Sequence, residues 1–381
     1  MKIAHVLTHS IEIYGLNPDL FSKYDAYIHI YAKISRALGY NSFVGYLSSS
    51  VKNKLTLTHK YGHIMIAYPV TVNRVMPVRG RFGHEMSVDM IIDLIRSNVD
   101  IIHVHSYYLF MYDAIALIIK KNRGKKIVAH YHGGDPSMLL YPFKIIKRTT
   151  LPLADKIIAT NRTEVKRLIN YWGIPKEKVV HIPNGVDTEF FRPLPYIEKS
   201  SNVVLYVGNL VKGKGLEMLL KAFAHCKQEI KHLKLWIVGD GYLRPRLELL
   251  AQTLGISKDV TFFGRLTHDE LRNIYNLAAA TILPSEKESF GLVLVESMAC
   301  GTPVVAIITE GSIEIVKDKV NGLLVPQYDE EAISEAICKI ISDRSLRQIM
   351  SENARRYAVE CFSWEKIKKR LNTLYRSLLA D

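Results

Sequence analysis

The sequence predicts an α/β fold of two domains, each a parallel sheet covered by helices. Residues 281–306 read in order as strand, loop, helix, loop and strand, which is the repeating unit of a parallel sheet. The same order starts again at residue 202, after a linker that contains prolines. With 381 residues the chain is long enough for two domains of ordinary size. We therefore expect an N-terminal domain at 1–187, a linker at 188–201, a C-terminal domain at 202–361 and a final helix at 362–381.

Short apolar runs predict the strands of the N-terminal domain, and amphipathic runs predict its helices. The predicted strands span residues 2–7, 43–47, 100–105, 127–130, 154–159 and 179–182. The predicted helices span residues 26–38, 88–96, 113–120 and 161–171. Between them, residues 48–84 are irregular and basic, and we expect strands and loops on the acceptor side of the domain. This segment either binds an acidic acceptor or forms an ordinary surface loop, and its candidate residues are Arg74, Arg79, Arg81 and His84.

The same reasoning predicts a second set of alternating elements in the C-terminal domain. Strands are expected at 202–207, 235–238, 260–263, 281–283 and 304–306. Helices are expected at 216–223, 243–254, 268–278, 292–299, 331–341, 346–359 and 362–379.

Composition and cysteine content exclude several classes of protein. The chain is 48% hydrophobic and 23% charged, which is typical of a globular protein. No apolar run reaches the roughly 18 residues of a membrane span, and residues 1–7 read as a first buried strand instead of a signal peptide. The four cysteines show no paired or metal-binding spacing, so we expect single thiols in a reducing, cytoplasmic compartment: Cys226, Cys300, Cys338 and Cys361.

The charge is concentrated in the first half of the chain. Residues 1–185 carry 25 Lys and Arg against 12 Asp and Glu, whereas residues 186–381 carry 26 against 25. Such an excess favours an anionic partner, either a membrane surface or a lipid-linked acceptor. An ordinary solvated basic surface explains it about as well. No nucleic-acid-binding motif is present, so we expect no nucleic-acid partner.

A glycine-rich turn with two lysines precedes the first helix of the C-terminal domain. Residues 208–215 (GNLVKGKG) follow a predicted strand. Because the helix dipole disfavours cations at a helix start, Lys212 and Lys214 are better explained by a bound diphosphate than by a basic helix start.

Two carboxylates flank the turn that leads into the helix at 292–299. Glu288 precedes the helix and Glu296 lies about one and a half turns into it. Backbone N–H groups of residues 290–292 lie between them and would point at an anion. A ligand with hydroxyl groups at both ends and phosphate in the middle, such as a nucleotide-diphosphate sugar, suits this pattern. A buried helix with two surface acids is the alternative.

The segment ESFGLVLVESMACGTPVVA closely resembles the donor-site signature of the retaining glycosyltransferases of family 4. DIIHVHS, HGGD, PNGVD and GDG resemble further turns and strands of the same family, and residues 309–316 and 321–325 resemble two more of its turns. The resemblance implies the GT-B architecture, with two Rossmann-like domains facing a cleft and a C-terminal helix that crosses back to the N-terminal domain.

The resemblance also implies roles for individual residues. Glu288 would hold hydroxyl groups of the donor sugar, Glu296 would hold the ribose, and Lys214 would neutralise the leaving diphosphate. His132 lies at the position of a residue near the donor sugar. His132, Lys214 and Glu288 are therefore the expected catalytic residues.

The donor-binding set completes this expectation. Asn209 stands where the family has Arg, with Lys212 as its candidate replacement, and a single Gly15 stands where the family often has a glycine pair. The nucleotide base would contact backbone near residues 265–266. The expected donor-binding residues are Gly15, Asn209, Lys212, Arg265, Leu266, Ser289, Phe290, Gly291, Leu292 and Glu296.

The expected function is retaining transfer of a hexose-type sugar from a UDP- or GDP-sugar to a glycan, lipid-linked or small-molecule acceptor. No Asp-x-Asp motif is evident, so we expect neither a metal nor a cofactor. The location would be cytoplasmic or peripheral at the cytoplasmic face of a membrane. A non-catalytic sugar-nucleotide-binding protein and a GT-B epimerase are the alternatives. A dinucleotide-dependent oxidoreductase would need G-x-G-x-x-G after the first strand, and a phosphorylase would need a longer chain.

Overall fold

The computed structural model describes residues 1–24, 26–72, 85–120, 124–134, 137, 139 and 141–380. It forms two compact units. The N-terminal unit contains Met1–Ile182 and Lys368–Asp381, and the C-terminal unit contains Pro183–Ile367. The candidate acceptor residues Arg74, Arg79, Arg81 and His84 lie outside the described residues, as does Asp135 of the HGGD turn.

The N-terminal unit is built on an eight-stranded sheet in the order β3-β4-β2-β1-β5-β6-β7-β8. All neighbouring strands pair in parallel except β3 and β4. The strands are β1 Lys2–Ser10, β2 Asn41–Ser48, β3 Leu55–Thr58, β4 Ile64–Pro69, β5 Ile101–His105, β6 Lys126–His130, β7 Lys156–Ala159 and β8 Val179–His181. Helices precede or connect them: α1 Pro18–Lys23, α2 Tyr27–Ala37, α3 Val88–Arg96, α4 Phe110–Ile119, α5 Tyr141–Thr150 and α6 Arg162–Asn170.

Buried aliphatic residues of the central strands form the core of this sheet. Ile102 and Val104 of β5 are fully buried and pack in one cluster with Met90 of α3 and Ile115 of α4. A sheet covered on both faces buries nearly every strand residue, which explains why all five residues of β5 are buried, including His103 and His105.

The C-terminal unit is built on a six-stranded parallel sheet in the order β11-β10-β9-β12-β13-β14. Its strands are β9 Val203–Val207, β10 Lys234–Val238, β11 Val260–Gly264, β12 Ala280–Leu283, β13 Val304–Ile307 and β14 Gly322–Val325. Its helices are α7 Leu216–Glu229, α8 Arg244–Thr253, α9 His268–Leu277, α10 Leu292–Ala299, α11 Ser312–Ile315, α12 Glu330–Ser342 and α13 Arg344–Phe362. Strand order reverses between β9 and β12, which creates a topological switch point at the carboxyl ends of these two strands.

The last helix, α14 (Trp364–Ala380), confirms the expected return of the chain to the N-terminal unit. Tyr375 is fully buried there, with its hydroxyl 2.7 Å from His103 Nδ1 of β5. Asn372 accepts a hydrogen bond of 2.5 Å from Tyr40.

Two predictions about the C-terminal unit are wrong. Residues 322–325, read as a turn, form strand β14, because pairing with β13 extends the sheet. Cys226 of α7 and Cys338 of α12, expected to be single thiols, form a disulfide with their Cα atoms 5.7 Å apart. The two cysteines are 112 positions apart, so local sequence patterns do not show the pairing, which exists because α7 and α12 pack together. Among the described helices, none is both long enough and apolar enough to cross a membrane.

Candidate donor site

The loops after β9 and β12 meet at the switch point of the C-terminal unit. Gly215, at the end of the first loop, has φ +68°, and a Cβ atom there would lie 1.9 Å from the carbonyl oxygen of Pro284. Only glycine therefore allows this approach. Glu286 N–H donates a 3.0 Å hydrogen bond to the Gly213 carbonyl and joins the two loops.

The contact between the loops brings two of the predicted catalytic residues together. Lys214 Nζ donates a 3.0 Å hydrogen bond to Glu288 Oε2, and the two side chains are 29% and 21% exposed. An ammonium group has three donors, so Lys214 can contact Glu288 and an anionic ligand at the same time. The pair can thus serve a ligand that has both hydroxyl and phosphate groups.

Two helices begin at this site without a side-chain cap. Gly215 precedes α7 and Gly291 precedes α10, and neither N-terminus receives a capping side chain. The first N–H groups of each helix therefore need an acceptor. Gly311 packs against the turn before α10 and holds it in place. Its N–H donates a 2.8 Å hydrogen bond to the Glu288 carbonyl oxygen, and a Cβ atom at this position would lie 2.5 Å from the Phe290 backbone.

Glu296 is held on the flank of α10 by a residue that sequence reasoning missed. Tyr275 of α9 donates a 2.9 Å hydrogen bond from its hydroxyl to Glu296 Oε2. Burial raises the pKa of Glu296 above its usual value, while the Tyr275 hydrogen bond and the nearby His268 oppose that shift. Tyr275 lies 21 residues before Glu296, and its aromatic character alone predicts only a core position.

The side chains of the remaining predicted donor-binding residues in this unit differ in how far they are exposed to solvent. Asn209, Lys212 and Leu292 are exposed, and Ser289 is half-buried. Phe290 is 4% exposed with its ring edge-to-face against Phe362, so only its backbone can serve a ligand. Arg265 and Leu266 follow β11, whose end is linked to the β10 turn by a 2.8 Å hydrogen bond from Gly239 N–H to the Gly264 carbonyl.

The other two predicted site residues, Gly15 and His132, belong to the N-terminal unit. Gly15 has φ +71° and ends the short helical turn after β1. His132 follows β6, stacks on Tyr27 with ring centroids 4.0 Å apart, and lies 2.9 Å from His105 through its Nε2 atom. Burial, with a smaller contribution from His9, lowers the pKa of His132 to about 3, so the ring is neutral at ordinary pH.

Among the described residues, three groups of three histidines have ring nitrogens close enough to share a metal ion. They are His5, His103 and His105; His105, His130 and His132; and His29, His59 and His63. In every group, ring nitrogens also lie at hydrogen-bond distance from one another. Independence from a metal remains a prediction.

Comparison with known proteins gives two family matches. Residues 187–357 match the family "Glycosyl transferases group 1", and residues 50–190 match "Glycosyltransferase Family 4". An uncharacterised glycosyltransferase of Methanocaldococcus jannaschii is 30% identical over 72% of this chain and 75% of its own length. This chain belongs to the family 4, group 1 glycosyltransferases. A D-inositol 3-phosphate glycosyltransferase of Corynebacterium urealyticum is 34% identical over 62% of this glycosyltransferase.

Several curated relatives are matched over only part of their length. The alignment spans 59% of the Corynebacterium protein and 60% of a second Methanocaldococcus jannaschii glycosyltransferase. Solved structures match the whole fold of this glycosyltransferase. Sucrose-phosphate synthase from Thermosynechococcus elongatus superposes with a TM-score of 0.79 at 23% identity, covering 100% of this chain and 99% of its own. Anabaena HepE in complex with UDP superposes with a TM-score of 0.75 at 19% identity, covering 99% of this chain and 100% of its own. Both confirm the GT-B fold.

Proposed function

We propose that this glycosyltransferase transfers a hexose-type sugar from a UDP- or GDP-sugar to an acceptor, with retention of anomeric configuration. The observation that carries the proposal is the Lys214–Glu288 pair, held between the loops after β9 and β12 beside two helix N-termini that lack side-chain caps. A cation and uncapped N–H groups suit a diphosphate, and a carboxylate beside them suits sugar hydroxyl groups.

On this proposal, catalysis is electrostatic. As the bond between the sugar and the diphosphate breaks, negative charge grows on the diphosphate, and Lys214 with the N–H groups of residues 290–292 stabilises it. Glu288 orients the sugar hydroxyl groups and Glu296 the ribose. The acceptor hydroxyl attacks the face that the diphosphate leaves and passes its proton to the departing diphosphate oxygen, so the protein supplies neither a nucleophile nor a metal ion, and no cofactor takes part.

The names of similar proteins support the class of substrates. HepE has been crystallised with UDP-glucose, which supports a nucleotide-diphosphate sugar as donor. The names D-inositol 3-phosphate glycosyltransferase and sucrose-phosphate synthase both mention a phosphorylated compound. Together with the basic first half of the chain, these names favour an anionic acceptor, either phosphorylated or lipid-linked. A cytoplasmic location at a membrane surface remains a prediction.

The deciding experiment measures nucleotide binding first and transfer second. Calorimetry with UDP, GDP, ADP and NAD, in the presence of EDTA, should show tight binding of one nucleoside diphosphate. Transfer from the matching hexose donors to inositol phosphates and to lipid-linked acceptors should then give a product whose anomeric configuration, measured by NMR, equals that of the donor. Binding without transfer or hydrolysis of any donor would instead support a non-catalytic binding protein.

A further inference from the structure

Tyr275 connects two helices of the C-terminal unit through a single side-chain hydrogen bond. Its hydroxyl, on α9, donates at 2.9 Å to Oε2 of Glu296, on α10. Tyr275 is fully buried, whereas Glu296 is half-buried. A buried hydrogen bond of this kind locks the rotamer of the side chain that accepts it. Tyr275 therefore determines how the carboxylate of Glu296 is oriented.

The other carboxylate oxygen of Glu296 is available to a ligand. Within the part of the chain that the structure describes, Oε2 accepts the bond from Tyr275 and Oε1 makes no hydrogen bond. Oε1 is also not one of the buried polar atoms that lack a partner, so it is accessible to solvent. An ionised carboxylate only accepts hydrogen bonds, so Oε1 suits a hydroxyl group of a ligand.

The backbone of Tyr275 is fixed at the end of α9. The hydroxyl of fully buried Thr302 donates a 2.6 Å hydrogen bond to the Tyr275 carbonyl oxygen, and Thr302 Oγ1 in turn accepts from Lys199 Nζ. The next residue, Asn276, accepts a 2.9 Å hydrogen bond from the Leu194 N–H. These contacts hold Tyr275 in one place without a ligand.

The helix that carries Glu296 is fixed to the sheet in the same way. Ser297 Oγ lies 2.8 Å from Thr281 Oγ1 of β12 and 3.0 Å from the Thr302 carbonyl oxygen. All three residues are fully buried. Because both helices are anchored, the contact between Tyr275 and Glu296 is part of the fold and exists before a ligand binds.

The hydrogen bond from Tyr275 also favours the ionised form of Glu296. Burial raises the pKa of Glu296, and the Tyr275 hydroxyl and the nearby His268 oppose that shift. Burial raises the pKa of Tyr275 well above its usual value, so its hydroxyl keeps the proton that it donates. The neighbouring thiol of Cys300 is neutral, since burial raises its pKa to about 12. Removing the Tyr275 hydroxyl would therefore raise the pKa of Glu296 further.

We propose that Tyr275 is a positioning residue of the donor site, which holds the Glu296 carboxylate through Oε2 and presents Oε1 to a hydroxyl group of the donor's ribose. The contact with ribose rests on the proposed function. A site built to bond a hydroxyl group discriminates against an analogue that lacks it, so the Tyr275–Glu296 pair selects ribose over deoxyribose. Tyr275 acts through Glu296, because its own hydroxyl is already used.

Calorimetry of Tyr275→Phe with UDP, GDP and the 2′-deoxy and 3′-deoxy forms of each tests this role. Phenylalanine keeps the buried ring and removes only the hydroxyl. Affinity for the ribose form that wild type binds should fall roughly 10-fold, while affinity for at least one of its deoxy forms should stay within about twofold. Equal losses for the ribose form and both deoxy forms would overturn the positioning role, and so would no loss at all.

A double variant shows whether Tyr275 acts through Glu296. In the Glu296→Ala background, Tyr275→Phe should change nucleotide affinity less than about twofold, because two residues that act through one contact are not additive. A full additional loss in the double variant would mean that Tyr275 serves binding by another route, and would contradict the proposal.

The matched control is Tyr112→Phe. Tyr112 is also fully buried, and its hydroxyl donates a 3.1 Å hydrogen bond to the Thr150 carbonyl oxygen in the N-terminal unit. This variant loses a buried hydrogen bond of the same kind, so it should lose stability while keeping the wild-type preference for ribose. A weakened preference in Tyr112→Phe would show that the effect of Tyr275→Phe reflects stability alone.

The contact itself can be measured without a nucleotide. Carbon NMR of protein labelled at the glutamate carboxyl carbon follows the titration of Glu296, and a Glu296→Gln sample assigns the signal. The midpoint should lie at higher pH in Tyr275→Phe than in wild type. An unchanged midpoint would show that Tyr275 does not bond Glu296 in solution and would overturn the proposal.

The binding results separate this inference from the proposed function. If wild type binds UDP or GDP and Tyr275→Phe keeps the full preference for ribose, the role of Tyr275 fails and the proposed function stands. If wild type binds neither nucleotide, the proposed function fails and the contact with ribose fails with it.

Discussion

At the scale of single residues, Lys214 supplies the charge that the proposed reaction needs. Its ammonium group is paired with Glu288 at the switch point, and its side chain is 29% exposed. Lys214→Ala should lower kcat by roughly 100-fold to 1,000-fold, because it removes one electrostatic contact to the departing diphosphate. Steady-state transfer kinetics and circular dichroism of the variant test this.

Glu288→Ala should cause a comparable loss of transfer with the fold intact. Lys287→Ala changes an exposed residue of the same loop and is the control. Wild-type turnover in Lys214→Ala or Glu288→Ala would remove that residue from the active site.

We expect Glu296 to make the candidate donor site sensitive to pH. Its ionised carboxylate accepts a hydrogen bond from a ribose hydroxyl more strongly than the protonated acid does, and burial raises its pKa above 4.5. As pH falls through this raised pKa, the carboxyl group is protonated, so nucleotide affinity should decrease at a higher pH than for an ordinary glutamate. Calorimetry with the nucleoside diphosphate between pH 4.5 and 8 measures the midpoint.

Glu296→Gln should weaken nucleotide binding by roughly 10-fold to 100-fold at neutral pH, which is the usual effect of losing a hydrogen bond to a charged group. The variant should also no longer lose nucleotide affinity as the pH is lowered. A variant that keeps the same pH profile would assign the titration to another group.

At the scale of elements, the close contact between the β9 and β12 loops depends on Gly215. Gly215→Ala introduces a Cβ 1.9 Å from the Pro284 carbonyl at a φ of +68°, so the loops must separate. Gly213→Ala is a matched control, since Gly213 also has positive φ (+85°) but no atom lies within 4 Å of the added Cβ. The control should lose only the roughly 1–2 kcal/mol of left-handed backbone strain.

Gly215→Ala should lose more stability than this control and should also bind nucleotide more weakly. Thermal unfolding and calorimetry of the two variants measure the difference. Equal stability and equal affinity would show that the loop contact does not shape the donor site.

The disulfide between α7 and α12 makes a second prediction about elements. Reducing it frees a long loop in the unfolded chain, so the free energy of unfolding should decrease by roughly 2–4 kcal/mol. Denaturant unfolding with and without a phosphine reductant measures this, and Cys338→Ala should match the reduced wild type. A double variant of Cys300 and Cys361 to Ala should keep the response to reductant. No change on reduction would contradict a disulfide in the folded protein.

The sequence predicted the individual helices and strands more completely than the contacts between them. Strand β12 and helix α10 lie within a residue of their predicted bounds, because each is a short apolar run ended by proline or glycine.

The site was only partly predictable. Glu288 and Glu296 stand in one motif, but Tyr275, which holds Glu296, lies on another helix and reads as an ordinary aromatic core residue. The pairing of His5 with His105 depends on strand register across 100 residues, which local patterns do not encode.

At the scale of the whole molecule, the excess of positive charge in residues 1–185 coincides with an exposed apolar surface on α5. The inner face of this helix is anchored by buried Lys147, which donates a 2.8 Å hydrogen bond to Asp113. The outer face presents Tyr141 and Ile145, which are 77% and 50% exposed, with Arg148 beside them. Aromatic and aliphatic side chains next to basic ones suit the surface of an anionic membrane.

We therefore expect the glycosyltransferase to bind vesicles that contain anionic lipid at low ionic strength, and to release them as salt screens the charges. Replacing Tyr141 and Ile145 by serine should weaken this binding at least ~10-fold, because each apolar side chain contributes roughly 1–2 kcal/mol when it enters the interface. Replacing Tyr196 and Ile349, which are exposed to a similar extent in the C-terminal unit, is the matched control. Vesicle co-sedimentation measures binding, and transfer to a water-soluble acceptor should be unchanged in both variants. If both double variants bind equally well, α5 is not the membrane-binding surface, and any attraction of the chain to anionic lipid arises from its net charge alone.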